Sequence, residues 1–123
     1  MKNKILISIN PEYVDKIIRG IKKYEYRKRA AKKDIDKIII YETVPVKKIV
    51  AEAEIIDVLA MSPEELWKET KLESGVTKDF FDLYFKDKKI AYAYKLGQIK
   101  VYEEPILLMD IGVKNAPQSF IYL

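Results

Sequence analysis

The chain has 123 residues, 49% of them hydrophobic and 34% charged; that length suits one core, and the balance excludes a disordered tail or a collagen-like chain. It has neither Cys nor His, which excludes a disulfide framework, a Cys/His zinc site and any imidazole- or thiolate-based catalysis. The net charge of +4 is concentrated, because Lys16 to Lys37 hold ten basic and three acidic side chains, so that this window carries +7 and the remainder −3.

Ile5 to Ile9 is an apolar, β-branched run ended by Asn10-Pro11. It reads as a short buried strand, too short for a signal peptide or a membrane span, so the chain is expected in the cytoplasm with no membrane partner. Asn10 is placed to cap a helix with Pro11 first, acidic Glu12 and Asp15 in its N-terminal half, and Tyr13, Val14, Ile17 and Ile18 on the helical period until Gly20 ends it. Lys23 to Arg29 alternates as a strand does, with Tyr24 and Tyr26 on one face and Glu25, Arg27 and Arg29 on the other. Ala30 to Asp34 reads as a charged connector.

Ile38 to Thr43 and Lys48 to Leu59 read as a hairpin through Val44-Pro45-Val46. Ser62-Pro63-Glu64-Glu65 has the capping-box pattern and opens a helix that carries Leu66 and Trp67 inward, and Thr77 caps another whose Phe80, Phe81, Tyr84 and Phe85 share one side, read as core-facing, with a stacking platform as the lesser alternative. Lys89 to Tyr102 is a third long β stretch, interrupted at Gly97, and Pro105 to Leu108 and Ser119 to Leu123 are short candidate strands. About six or seven strands and three helices without βαβ alternation predict a single α+β domain over residues 1–123, built on a curved or closed mixed sheet.

The basic window predicts a polyanion partner, with Lys23, Lys28, Arg29, Lys32 and Lys33 as the lobe that holds phosphate; a solvated lysine-rich loop is the plainer alternative. Inside the window, Gly20-Ile21-Lys22-Lys23-Tyr24-Glu25-Tyr26-Arg27 leaves the helix and enters a strand with three ionisable groups. On a plain strand Glu25 and Arg27 share a face and Lys22 points away, so the three converge only if the turn rotates Lys22 inward. Converged, they offer two cations for phosphate or carbonyl oxygens and one carboxylate for an amino group or a water. Unconverged, Glu25 merely neutralises Arg27 on the surface. Tyr41 and Thr43 share a strand face that either lines the same cleft, as a stacking ring and a hydroxyl, or packs Tyr41 into the core.

The chain resembles the ASCH domain, a branch of the PUA-like superfamily. The resemblance is carried by Leu6-Ile7-Ser8-Ile9-Asn10-Pro11, by Gly20, Lys22, Glu25 and Arg27 in the Gly-x-Lys-x-x-Glu-x-Arg motif, by Ile40-Tyr41-Glu42-Thr43-Val44-Pro45, by Glu52-Ala53-Glu54-Ile55 and by Pro117-Gln118-Ser119-Phe120. It implies a small mixed β-barrel flanked by about three helices, a cleft lined by Lys22, Glu25 and Arg27, and an RNA or nucleotide ligand; Gln118 and Ser119, after Pro117, either contact a base edge, as the family pattern favours for Gln118, or merely satisfy the turn, and no metal or cofactor is expected. Some ASCH proteins are enzymes, including ribonucleases and an N4-acetylcytidine amidohydrolase that uses a lysine, a threonine and a glutamate. Here Lys22 falls on the lysine, but Glu25 stands where the threonine would, which a hydroxyl nucleophile does not survive. The expectation is therefore an RNA- or nucleotide-binding module. The alternatives are a small hydrolase with Lys22 as base and Glu25 orienting water, and a protein-interaction domain whose basic patch meets an acidic partner.

Overall fold

Strand β1 (Asn3–Ile9) is followed by helix α1 (Pro11–Ile18), strands β2 (Tyr24–Arg27), β3 (Ile35–Glu42) and β4 (Lys48–Met61), helices α2 (Pro63–Thr70) and α3 (Lys78–Tyr84), and strands β5 (Ala91–Ile106) and β6 (Phe120–Tyr122). The computed structural model describes residues 3–32 and 34–123. Six strands form one mixed sheet in the order β2-β5-β4-β3-β1-β6. β1 and β3 pair in parallel, with Ile5 opposite Ile38 and Ile7 opposite Ile40, and the other ladders are antiparallel.

The sheet curls into a half-barrel, as its long-range bonds require. Arg27 of β2 reaches the carbonyl of Ser8 on β1 at 2.9 Å, although the two strands stand four places apart in the sheet order. Period-2 alternation explains the inside of the curl. Ile5, Ile7, Ile9, Ile38, Ile40, Ala51 and Ala53 point one way and meet Val14 and Ile17 of α1, together with the fully buried Tyr94. The opposite residues, Leu6, Ile39, Tyr41 and Ile49, form a second core covered by Tyr102, Ile106, Leu108 and Val113. A third cluster joins Tyr24 and Tyr26 of β2 to Leu66 of α2 and to Phe81 and Phe85 at the end of α3.

Several local expectations change. Asn10 holds the N-cap position of α1 without a side-chain capping bond, because its Oδ1 accepts instead from Thr43 Oγ1 at 3.1 Å. Ser62 and Thr77 do cap, accepting from the N–H groups of Glu65 and Phe80. Pro105 is not in a separate strand: β5 runs on through it to Ile106, and Leu108–Ile111 is a 3-10 turn closed by Gly112 at φ 76°. The register of β4 and β5 shifts near Gly97, where a Cβ would meet Glu54 Oε1. No helix among the described residues is long and apolar enough to cross a membrane.

Candidate functional site

The turn after α1 decides where Lys22 points. Gly20 takes φ 77°, a left-handed conformation that glycine adopts at little cost, and the N–H groups of Ile21 and Lys22 both donate to the Lys16 carbonyl, wrapping the chain around the helix end. Lys22 is thereby turned inward and is only 3% exposed. Its Nζ donates to the Ser74 carbonyl at 2.9 Å and lies 4.8 Å from the centre of the Tyr26 ring and 5.6 Å from that of Tyr13. The segment after α2 clamps the stem from outside: a Cβ on Gly75 would strike Lys22 Cβ and lie 2.6 Å from its Cγ. Burial pushes the Lys22 ammonium down to about 8, against the favourable field of Glu25 and with the repulsion of Arg27 and Lys16.

Strand alternation puts Glu25 and Arg27 on the face away from Tyr24 and Tyr26. Glu25, 6% exposed, accepts through Oε2 from both Nε (3.0 Å) and Nη2 (2.7 Å) of Arg27, whose Nη2 also donates to the Ser8 carbonyl. The Tyr26 ring is fixed by a 2.6 Å bond between its hydroxyl and Thr70 Oγ1, and Thr70 itself donates to the Leu66 carbonyl. Burial pushes the Tyr26 phenol up to about 12 and raises Tyr13 and Tyr84 as well, so all three stay neutral hydrogen-bonding rings at pH 7.

These groups surround a cavity of about 190 Å³. Lys22, Glu25 and Arg27 form its ionic side, Ser8, Ile9 and Asn10 its floor by β1, and Tyr13, Val76, Phe80 and Tyr84 its apolar walls. Phe80 and Tyr84 lie nearly parallel with centroids 5.9 Å apart, and Tyr13 meets Phe80 at 5.6 Å. Of the four aromatic residues assigned to the core on the third helix, only Phe81 and Phe85 are buried. Phe80 is 40% exposed and faces the cavity with Tyr84. The reason is that α3 rests on the third cluster through the Phe81–Phe85 edge, which leaves the Phe80–Tyr84 edge turned toward Lys22.

The remaining candidates scatter around this centre. Tyr41 does not line the cavity: it is buried with Leu6, Ile39 and Ile49 in the second core, because its strand face is the one turned away from α1. Thr43 stands one bond behind the cavity, on Asn10. Gln118 and Ser119 are exposed and do not line it, though the neighbouring Pro117 carbonyl accepts from Ser8 Oγ at 2.8 Å. In the basic lobe, Lys28 lies at the rim with Nζ 4.8 Å from the Tyr84 ring centre. Lys23 instead pairs with Glu73 at 3.2 Å and lines a different hollow with Lys95 and Gly97. Arg29 and Lys32 are exposed, and Lys33 lies outside the described residues. Phe80 and Tyr84 take the place of the stacking platform that was the lesser of their two sequence readings, whereas Ser8, Tyr13 and Tyr26 are not candidates from sequence; the signal for Tyr13 is its place on the apolar side of α1, the helix that leads into the ionic motif. Among the described residues no group of three or more carboxylates is arranged to hold a metal ion.

The family model for the ASCH domain matches residues 7–105. The crystal structure of an ASCH protein from Zymomonas mobilis is similar over 98% of this chain and 87% of its own, with 26% identity and a TM-score of 0.89. In sequence the chain is 26% identical to part of an ATP synthase subunit alpha from Ureaplasma parvum, over 99% of this chain, and 24% identical to part of the large ribosomal subunit protein uL22 of the same species, over 97%. It spans only 15% and 39% of the lengths of those two proteins.

Proposed function

The chain belongs to the ASCH domain family, and from that premise we propose that it is an RNA-binding module whose cavity takes one unstacked base while Lys28 at the rim holds a flanking phosphate. The observation that carries the reading is the Lys22 ammonium, 3% exposed and set in the wall of an open aromatic-lined cavity beside a paired Glu25 and Arg27. Keeping such a charge out of water is costly, and its bond to the Ser74 carbonyl uses only one of its three N–H groups. Aromatic rings and positively charged groups around a base-sized space are what single-stranded RNA uses, through stacking and phosphate contacts. The likeness to a ribosomal protein supports an RNA partner.

The test is binding of a labelled single-stranded RNA at increasing salt. Affinity that falls steeply with salt supports the module, and no binding at low salt overturns it.

One observation favours a second reading, a small hydrolase acting on RNA or a modified nucleoside. With its pKa lowered to about 8, Lys22 holds a fraction of free amine near neutrality, and Glu25 lies within its field to orient a water. This reading requires product from RNA or a modified nucleoside that disappears in Lys22→Ala; turnover persisting in that variant removes it.

A further inference from the structure

Resting on the reading of the cavity as a base pocket, we infer that the base it selects is uracil, because the charged groups lining it are two that only donate, Lys22 and Arg27, and one that only accepts, Glu25, which is bonded to Arg27. Lys22 offers an ammonium, which only donates, and spends one N–H on the Ser74 carbonyl. Arg27 also only donates, and its Nη1 makes no hydrogen bond to the described residues, since Nε and Nη2 serve Glu25 and Ser8. Glu25 only accepts while ionised; both of its bonds from Arg27 fall on Oε2, and Oε1 accepts no hydrogen bond from the described residues. The carboxylate is paired to Arg27 and is also the group whose field most favours the Lys22 charge, so it is coupled to both cations.

Of the four bases, uracil alone carries acceptor, donor, acceptor along its pairing edge, in O4, N3–H and O2. Cytosine would set its amino group against a cation and its bare N3 against the carboxylate. Guanine would satisfy Lys22 and Glu25 but turn its 2-amino group onto Arg27, and adenine would set its 6-amino group against a cation and its bare N1 against the carboxylate. Each mismatch leaves a buried charged group facing one of like role, which discriminates more strongly than a missing contact does. The size agrees: about 190 Å³ is below the roughly 300 Å³ where sites for whole small ligands begin. Tyr13, Phe80 and Tyr84 supply the apolar faces that a single ring needs.

The experiment compares single-stranded U, C and A homopolymers of one length, whose phosphate contribution is equal, and a U homopolymer methylated at N3. Uracil selection predicts U tighter than C or A by about tenfold or more, and the advantage lost on N3 methylation. In Glu25→Gln, whose amide both donates and accepts, the U-over-C ratio falls; the ligand-side comparison decides even if that variant folds poorly. Binding indifferent to the base yet weakened in Phe80→Ala overturns uracil selection and leaves the base pocket standing. Binding indifferent to the base and unchanged in Phe80→Ala, or absent altogether, overturns both.

Discussion

Arg27 and Ser8 face each other across the mouth of the half-barrel, the guanidinium Nη2 donating to the serine carbonyl at 2.9 Å while it also holds Glu25 at 2.7 Å. One side chain thus ties the edge strand β2 to β1 and neutralises the buried carboxylate of the cleft. Fold and site share a fastening here, so a change at Arg27 is felt in both.

Arg27→Ala strands Glu25, whose side chain is 8% exposed, and frees the Ser8 carbonyl. Breaking a buried pair from one side costs about 3–5 kcal/mol, and denaturant titration should show a loss of that order. Arg27→Lys keeps the charge but not the planar fork that serves the carboxylate and the carbonyl together, so it should fall between wild type and Arg27→Ala.

Lys22 sets a pH dependence whose sign is fixed. Its pKa falls from 10.5 in the unfolded chain to about 8 when folded, so the unfolded state binds more protons between those values and stability rises with pH across that window. The burden on folding, about 3 kcal/mol at full size, is present below pH 8 and gone above 10.5. Measured against Lys22→Met, which has no such group, the wild type should gain stability on going from pH 8 to 10.5. A flat difference would mean that the ammonium is not desolvated.

Phe80 and Phe81 are adjacent yet should separate stability from binding. Phe81→Ala empties a fully packed site between Tyr26, Trp67 and Phe85 and should cost about 3–5 kcal/mol of stability. Phe80→Ala removes a half-exposed cavity wall; it should change stability little and weaken RNA binding by about 1–3 kcal/mol, the range for one stacked base. Thermal unfolding and RNA titration of the two variants check this together.

Within the basic lobe, Lys28 and Lys23 should behave differently. Lys28 lies at the rim over Tyr84, so Lys28→Ala should reduce the slope of log affinity against log salt by about 0.7, one phosphate contact on a single strand. Lys23 is engaged by Glu73 beside another hollow, and Lys23→Ala should leave the slope nearly unchanged.

What could be read from the sequence was whatever a local period or a single turn dictates. The alternation Tyr24-Glu25-Tyr26-Arg27, the glycine that ends α1 and the caps at Ser62 and Thr77 are short-range facts, and they place the ionic motif at the junction of helix and strand. Which edge of α3 meets the core is not local: the spacing of Phe80, Phe81, Tyr84 and Phe85 fits either edge, and docking on Tyr26 and Leu66 chose one. Tyr41 was open for the same reason, since alternation fixes that Tyr41 and Ile39 share a face but not which face the helices cover. Asn10 sits where a cap belongs, but Thr43, 33 residues on, claims its side chain.

The most direct test of the account follows the backbone and side-chain resonances of isotope-labelled protein by NMR as a short single-stranded U-rich RNA is added. RNA held in the cavity should give the largest shifts at Lys22, Glu25, Arg27, Phe80 and Tyr84, with smaller ones at Lys28. Largest shifts on the opposite face, around Tyr102 and Ile106, or none at saturating RNA, would contradict it.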